Sequence, residues 1–414
     1  MNIAGIVTEY NPFHNGHIEH IKKTVELANS SHIIAIMSGS FVQRGEPAIT
    51  DKWTRAKSAI ENGVDLVIEL PVVYSCQSAE FFAYGATKLL HSLKIVNSLV
   101  FGSEVGLIDD LNNISQVLLD EGVDFKKDLR DSLKTGKSFA KARTIAIEKD
   151  LKRRNISSNE VKEVTKGSNN ILGIEYLKAI KRLNSPIVPL TYKRLGANYN
   201  SLEIKDNIAS ATGIRNLIKN KEYEDLIPLM PKTSFDNLMD FKSKYGTFNH
   251  LNNYNKLLSY LFFAKRKSDL RQIFDMEVGL ENRILELSKL HLNTDDLIEA
   301  VSSKRYPRTR ISRILCHLLL DFKRQDLLDV INGDINYIRI LASNKKGFEV
   351  INAIKNNSEI EIINKFSDIN KNIDLLSRRV LSFEQVATDL YFLGLNLNKP
   401  LKGMDFLTSP YISK

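Results

Sequence analysis

"GIVTEYNPFHNGHIEHIKKT", residues 5–24, decides the fold because it joins an apolar strand to an amphipathic helix through one short turn. Residues 3–7 are small, apolar and partly β-branched, which is typical of a buried central strand. Apolar residues then recur at helical spacing over residues 18–28. His14 and His17 therefore start the first helix, outside the carboxyl end of the first strand, where open α/β sheets bind ligands.

This turn has the chemistry of a phosphate site. The free N–H groups of a helix's first turn and the helix dipole favour an anion, and Gly16 has no Cβ, so a nucleotide can lie directly on the backbone. Imidazoles at i and i+3 share one face, and each can donate a hydrogen bond to a phosphoryl oxygen in the transition state. A zinc pair is the alternative, but the nearest third ligand, His20, points round the helix, so we predict no metal site.

The stretch His14-Asn15-Gly16-His17 resembles the (H/T)xGH signature of the nucleotidyltransferases related to class I tRNA synthetases. Four stretches together resemble the bacterial tRNA(Met) cytidine acetate ligases: "TEYNPFHNGH" at 8–17, "FVQRGEPAITDKWTRAKSAIENGVDLVIELP" at 41–71, "FGSE" at 101–104 and "SNNILGIEYLKAI" at 168–180. The resemblance implies that ATP activates acetate as acetyl-adenylate, with His14 and His17 stabilising the α-phosphate. It further implies acetylation of N4 of the wobble cytidine, position 34, of elongator tRNA(Met), with Mg²⁺ accompanying the pyrophosphate.

The strand and helix pattern predicts an α/β fold with a Rossmann-like parallel sheet and a mainly α-helical C-terminal region. We predict an ATP-binding catalytic domain over residues 1–222 and a basic, tRNA-binding helical region over 223–414. The predicted strands are Ile3–Val7, Ile33–Met37, Leu66–Leu70, Ser98–Phe101 and Ile187–Leu190. Helices are predicted after Asp51, from Ala79 and from Asn169, and a hinge at Ile227–Lys232.

The resemblance and the turn together predict an ATP site. Its first segment is Val7, Thr8, Glu9, Tyr10, Asn11, Pro12, Phe13, His14, Asn15, Gly16, His17, Ile18, Glu19 and His20. Further predicted contacts are Gly102 at a strand end, Asn169 and Asn170 at a helix start, Arg194 after the last strand, and Ser210, Thr212 and Arg215 in "IASATGIRNLI", which partly matches an ISSTxIR element. Without the resemblance, a helix cap is the favoured role of Asn169 or Asn170, and a strand-ending turn at Gly102 and a helix cap at Ser210 are the alternatives.

A third catalytic residue is predicted after the second strand, where Gln43, Arg44, Lys52 and Arg55 lie close together in the sequence. We expect Lys52 or Arg44 to neutralise the charge that develops on pyrophosphate. The alternative for such a group is solvated loop charge.

The net charge of +9 indicates a polyanionic partner. A cationic stretch that contains no acid has the pattern of a phosphate-tracking surface with a stacking aromatic: Lys304, Arg305, Tyr306, Arg308, Arg310 and Arg313. Lys265 and Arg266 form a weaker second group. We predict that both contact tRNA, against the alternative of solvated helix faces.

Other features of the sequence bear on the cellular compartment and on the two cysteines. The sequence has no apolar run of about 18 residues and no leader pattern, so we expect a cytoplasmic protein. Cys76 and Cys316 are far apart in the sequence, and we interpret them as buried hydrophobes that form no redox pair. Two other functions remain open at this point: a small-molecule nucleotidyltransferase that adenylylates a phosphorylated cofactor precursor, and an RNA-binding ATP sensor that does not turn ATP over.

Overall fold

The computed structural model describes residues 1–156, 161–194, 209–371 and 373–413. Its strands are β1 (Ile3–Thr8), β2 (His32–Ser38), β3 (Phe41–Val42), β4 (Glu46–Pro47), β5 (Leu66–Leu70), β6 (Ser98–Ser103), β7 (Val188–Lys193), β8 (Tyr337–Ser343), β9 (Glu361–Ile363) and β10 (Tyr411–Ile412).

The α-helices are α1 (Asn15–Ala28), α2 (Lys52–Glu61), α3 (Val72–Ser75), α4 (Ala79–Ser92), α5 (Ile108–Asp120), α6 (Val123–Lys134), α7 (Phe139–Arg153), α8 (Val161–Val164), α9 (Ser168–Arg182), α10 (Ala211–Asn220), α11 (Lys232–Tyr245), α12 (Asn255–Ala264), α13 (Lys267–Leu270), α14 (Leu280–Ser288), α15 (Thr294–Val301), α16 (Arg308–Leu319), α17 (Arg324–Asn332), α18 (Lys345–Asn357), α19 (Leu375–Leu393) and α20 (Met404–Leu407). Three short 3₁₀ helices cover Glu224–Leu229, Leu251–Tyr254 and Phe366–Asp368.

The centre of the fold is a parallel sheet in the order β5-β2-β1-β6-β7. It contains all five predicted strands, although β7 begins and ends later than predicted. Because β1 pairs with β2 on one side and with β6 on the other, the strand order reverses between β1 and β6. Ligands of open α/β sheets bind in the crevice outside the carboxyl ends at such a reversal.

Side chains of the central strands alternate between two cores, so both faces of the sheet are covered. Ile34 and Ile36 of β2 belong to one core, and Ile33 and Ala35 belong to the other. The predicted helices are confirmed as α2, α4 and α9, and Asp51 Oδ1 caps α2 by accepting from the Thr54 N–H at 2.7 Å. Within the described residues, no helix is long and apolar enough to cross a membrane.

The C-terminal half contributes strands that the Leu-rich pattern did not indicate. Strand β8 pairs antiparallel with β5, and β9 and β10 pair parallel with β8, so eight strands of the described residues form this sheet. The predicted hinge is a 3₁₀ helix followed by α11, which starts after Pro231. The division at residue 222 stays a prediction, because residues 337–343 extend the same sheet that carries the first half.

Candidate active site

A cavity of about 360 Å³ lies at the carboxyl ends of β1 and β6. The predicted ATP residues that line it are Val7, Thr8, Glu9, Tyr10, Asn11, His14, His17, His20, Gly102, Asn169, Arg194 and Ser210. The predicted residues outside the lining are Pro12, Phe13, Asn15, Gly16, Ile18, Glu19, Asn170, Thr212 and Arg215. Packing explains two of these, because Phe13 is buried against the rings of Tyr10 and His17, and Ile18 packs on the core below α1.

His14 and His17 hold each other at the start of α1. His14 is the N-cap, and its Nδ1 accepts a hydrogen bond from the Gly16 N–H at 3.1 Å. His17 Nδ1 accepts from the His14 N–H, also at 3.1 Å, and the ring centroids are 3.9 Å apart. An Nδ1 that accepts carries no proton, so each neutral ring has its proton on Nε2. Both histidines are therefore fixed as Nε2–H donors at the wall of the cavity.

The electrostatics of the site keep both rings neutral. Burial, with smaller effects of Arg194 and Arg215, lowers the pKa of His14 to about 3. Burial also lowers the pKa of His17 well below its ordinary value, and His14 and Arg194 act in the same direction. The two donors are thus uncharged near neutral pH, and the cations of the cavity lining are Lys193 and Arg194.

His20 has the opposite tautomer. Its Nε2 lies 3.1 Å from the Val100 carbonyl oxygen, which can only accept, so the proton is on Nε2 and Nδ1 is an acceptor. Burial lowers the pKa of His20 to about 4. His20 therefore offers the cavity an acceptor, whereas His14 and His17 offer donors.

Gly102 lies at the end of β6, as predicted, and the space above it is occupied. A Cβ at this position would be 2.7 Å from Cγ of Arg194 and 2.9 Å from Cζ of Tyr192. The absence of a side chain at Gly102 thus lets Arg194 fold over the strand end, beside the cavity.

The start of α9 differs from the prediction that Asn169 or Asn170 caps it. The N-cap is Gly167, and the cap is supplied by Glu104, whose carboxylate accepts from the N–H groups of Asn169 at 3.0 Å and Asn170 at 2.7 Å. Asn170 is buried, and its Oδ1 accepts from the N–H groups of Glu104 and Val105. Asn169 lines the cavity and Asn170 does not, so Asn169 is the available contact.

The start of α10 lies at the edge of the cavity. Ser210 is its N-cap and accepts from the Gly213 N–H at 3.1 Å. Arg215 Nη1 donates to the Asn11 carbonyl at 3.0 Å, and its Nη2 lies 3.2 Å from Glu46. Arg215 thus ties α10 to the turn after β1, while Ser210 and Ala211 form the cavity edge.

Comparison with known proteins places this site in a family. A family model described as HIGH Nucleotidyl Transferase matches residues 1–403. The tRNA(Met) cytidine acetate ligase of Thermoanaerobacter sp. (strain X514) is 44% identical over 408 residues, which are 98% of each chain. That of Clostridium perfringens (strain ATCC 13124) is 44% identical over 416 residues, 100% of both chains. The chain belongs to the tRNA(Met) cytidine acetate ligase family.

Solved structures of a more distant relative agree with this assignment. The Thermotoga maritima TmcAL structure bound with alpha-thio ATP has a TM-score of 0.91 at 32% identity, covering 100% of this chain and 99% of that one. The apo structure of the same relative has a TM-score of 0.93 at the same identity and coverage. As a member of the tRNA(Met) cytidine acetate ligase family, the protein is an ATP-dependent ligase.

Lys52 does not occupy the position predicted for a catalytic residue. Its side chain is 1% exposed, and its Nζ lies 2.7 Å from Glu69, 2.8 Å from Asp405 and 3.0 Å from Thr388 Oγ1. Arg339 of β8 completes this buried ion cluster through Asp405. The ammonium of Lys52 is thus held inside the protein by carboxylates, which is a structural role in place of the predicted contact with pyrophosphate.

The cationic stretch at residues 304–313 has acidic partners from other elements, which the local sequence did not show. Arg305 pairs with Glu277 at 2.7 Å, and Arg308 pairs with Glu299 at 2.7 Å. Arg310 contacts both Asp275 and Glu277, and the hydroxyl of Tyr306 donates to Glu277. Lys304 is exposed. Arg313 is half-buried, and burial lowers the pKa of its guanidinium. Because exposed pairs contribute little free energy, phosphates can still compete for Arg305 and Arg308.

The second cationic group adjoins exposed aromatic rings. Lys265 pairs with Asp321 at 2.7 Å, and Arg266 is exposed at the end of α12. Tyr260 and Phe263 of the same helix are 66% and 87% exposed. Rings this exposed beside cations are a feature that the charge pattern alone did not identify.

One wall of the cavity was missed in the sequence. Phe82, Phe101, Leu172 and Tyr176 line it, and the rings of Phe101 and Tyr176 are 5.4 Å apart. These residues lie on α4, β6 and α9, where helical and strand periodicity indicated only core. Their position at a cavity follows from how three elements meet, which no local pattern reports.

The two cysteines are buried, as predicted, but they are not separate. The thiols of Cys76 and Cys316 hydrogen-bond to each other, and this contact lowers the pKa of Cys76 to about 5. Two free cysteines that are 240 positions apart in the chain thus meet where Cys76, at the end of α3, lies against α16.

Proposed function

We propose that the protein activates acetate with ATP as acetyl-adenylate and transfers the acetyl group to N4 of cytidine 34 in elongator tRNA(Met). The observation that carries the proposal is the pair His14 and His17, whose Nε2–H donors are fixed at the cavity by reciprocal backbone contacts. Fixed donors that face developing negative charge are a strong source of transition-state stabilisation.

In the activation step, an acetate oxygen attacks the α-phosphorus and pyrophosphate leaves. His14 and His17 donate to the α-phosphoryl oxygens as their charge increases. Arg194, beside Gly102, supplies positive charge at the same edge of the sheet. Holding acetate and ATP together in one cavity also makes the reaction effectively intramolecular.

The rest of ATP fits the flanking elements. The adenosine would lie beside Asn169 and beside Arg194, which covers Gly102, with the acceptor Nδ1 of His20 facing a donor of the base or ribose. The β- and γ-phosphates would lie at the start of α10, where Ser210, Thr212 and Arg215 stand and where free N–H groups favour anions.

Mg²⁺ would accompany these phosphates. Among the described residues, no group of three or more acidic, histidine or cysteine side chains is arranged to hold a metal ion. This fits an ion held chiefly by phosphate oxygens and water, the usual arrangement for Mg²⁺ with nucleotides. Its contribution would be partial neutralisation of the leaving pyrophosphate.

The tRNA would reach the cavity across the helical half. The backbone of Gly45, in the β3–β4 turn, lies directly on α16 at Ser312 and Arg313, so the cationic stretch adjoins the hairpin that carries Gln43 to the cavity. Arg305, Arg308 and Arg310 would contact phosphates, with Lys265 and Arg266 as a second contact. Tyr260 and Phe263 provide stacking surfaces for unpaired bases, and the wall at Phe101 and Tyr176 accommodates the flat cytosine.

The first assay measures the exchange of radiolabelled pyrophosphate into ATP in the presence of acetate, with and without tRNA. The second assay measures the incorporation of labelled acetate into elongator tRNA(Met). We expect acetate-dependent exchange and one N4-acetylcytidine per tRNA after nuclease digestion. Exchange that requires a phosphorylated cofactor precursor instead of acetate would support the small-molecule alternative. Binding of ATP without any exchange would support the sensor alternative.

A further inference from the structure

Glu9 is held in the cavity in a way that leaves one carboxylate oxygen available. It follows β1 directly, and its carbonyl oxygen accepts from Nη1 of the buried Arg55 at 2.6 Å. Its Oε1 accepts from the Gln43 N–H at 2.8 Å. In the described part of the chain, Oε2 has no hydrogen-bond partner, so a fixed acceptor borders the cavity.

The second carboxylate of the cavity wall is already used. Glu104 Oε1 accepts from the Asn169 N–H and from Asn169 Nδ2, and Glu104 Oε2 accepts from the Asn170 N–H. Of the two carboxylates that the described residues bring to this wall, Glu9 is the one with an oxygen to spare.

The chemistry of Glu9 Oε2 limits the groups that it can bind. Phosphate oxygens are acceptors and negatively charged, so a carboxylate beside them gains no hydrogen bond and repels them. An N–H or O–H donor is the matching group. In the proposed function, on which this inference rests, the reacting N4 amine of cytidine is such a donor.

We propose that Glu9 is the catalytic proton acceptor of the acetyl-transfer step. The N4 lone pair forms a bond to the acetyl carbonyl carbon, and the bond from that carbon to the phosphate-bridging oxygen breaks. The electron pair of that bond leaves with AMP, and one N4 proton moves to Glu9 Oε2. The activation step needs no such acceptor, because acetate is already an anion.

The surroundings of Glu9 suit this role. Burial raises the pKa of its carboxyl, while the Gln43 N–H and Arg215 act in the opposite direction. An acceptor whose pKa is moved toward the working pH is a more effective base than an ordinary carboxylate.

The test variant is Glu9→Gln, which keeps an oxygen that can accept from the Gln43 N–H and removes the proton acceptor. We expect acetate-dependent exchange of pyrophosphate into ATP to fall much less than the transfer of acetyl to tRNA. Single-turnover transfer of acetyl to tRNA should fall by about 10²-fold or more, the usual effect of removing a general base. Glu9→Asp should recover part of the transfer rate, because it restores a carboxylate on a shorter side chain.

A pH profile separates proton transfer from positioning. In the unmodified protein the transfer rate should rise with pH as Glu9 ionises, and Glu9→Gln should lack that rise. Loss of exchange and transfer to the same extent would overturn the inference, because Glu9 would then act on ATP or on folding. Full transfer by Glu9→Gln would also overturn it, whereas the proposed function would stand. An unmodified protein without acetate-dependent exchange would overturn the proposed function itself.

Discussion

The buried cluster around Lys52 makes a prediction that distinguishes a structural lysine from a catalytic one. Lys52 and Arg339 are the two cations, and Glu69, Glu384 and Asp405 are the carboxyls. Burial and the nearby Glu69 raise the pKa of Glu384 well above its ordinary value, so Glu384 holds a proton. Two cations then balance two carboxylates, and the cluster is neutral.

Replacement of Lys52 by Met removes one cation and leaves a buried carboxylate without compensation. Breaking a buried pair in this way costs about 3–5 kcal/mol. An unfolding entropy of about 2.1 cal/mol/K per residue gives about 0.9 kcal/mol/K for 414 residues, so the midpoint of thermal unfolding should fall by about 5 °C. The exchange activity per folded molecule should change little at a temperature where the variant is folded.

Glu384→Gln is the matched control. The amide oxygen can still accept from the Val72 N–H, and no ionisable group is lost in the neutral state. A raised folded-state pKa contributes stability that is complete below the ordinary carboxyl value of 4.5 and decreases as the pH rises through the folded value. Glu384→Gln lacks this decrease, so its stability relative to the unmodified protein should increase with pH.

Thermal unfolding followed by circular dichroism, with exchange assays on the same samples, decides between the two roles of Lys52. A Lys52→Met variant with an unchanged midpoint and no exchange activity would refute the structural account. It would return Lys52 to the chemistry of pyrophosphate.

Three further predictions concern the site and the RNA surface. His14→Asn and His17→Asn keep an oxygen that can cap the helix but remove Nε2–H, so exchange should fall by about 10²-fold or more with little change in the unfolding midpoint; full activity would make the pair structural. Gly102→Val should displace Arg194 and Tyr192, and calorimetric titration should show weaker ATP binding by a folded protein; unchanged affinity would place the nucleotide elsewhere. Arg305→Gln with Arg308→Gln should weaken tRNA binding and reduce its salt slope by about 1 per lost phosphate contact, with exchange retained; an unchanged slope would show that Glu277 and Glu299 occupy these arginines fully.

The local sequence pattern was sufficient to predict the strands and helices that neighbouring residues form. The strands from β1 to β7 in the main sheet were predicted because short apolar runs alternate with amphipathic helices. The candidate site at the end of β1 was predicted by the same reasoning, since ligands of open α/β sheets bind outside the carboxyl ends of the strands.

Ion pairs between residues that are distant in the sequence could not be predicted from a local pattern. Residues 337–343 contain Arg339 within an apolar run, and the reason for that arginine is Asp405, 66 residues further on. Lys52 was predicted to contact pyrophosphate because a local pattern does not report Thr388, 336 residues away, or Asp405. The acids that pair with Arg305 and Arg308 come from separate elements in the same way. For Lys52, the local pattern assigned to the pyrophosphate a charge that the fold neutralises internally.

The spacing of His14 and His17 has a more specific physical meaning than shared orientation. Positions N-cap and N3 of a helix are three residues apart, and a capping box lets each side chain accept from the backbone of the other's turn. When both side chains are histidine, the two Nδ1 atoms do this capping, and both protons are forced onto Nε2. A spacing of two or four residues would break the reciprocity and leave one ring free to change tautomer and present an acceptor to phosphate. The helix start therefore organises two neutral donors with backbone contacts alone. The low pKa values of the two histidines cost the site no donor, because each neutral ring keeps its proton on Nε2. Positive charge near the rings is carried by Arg194 and Arg215.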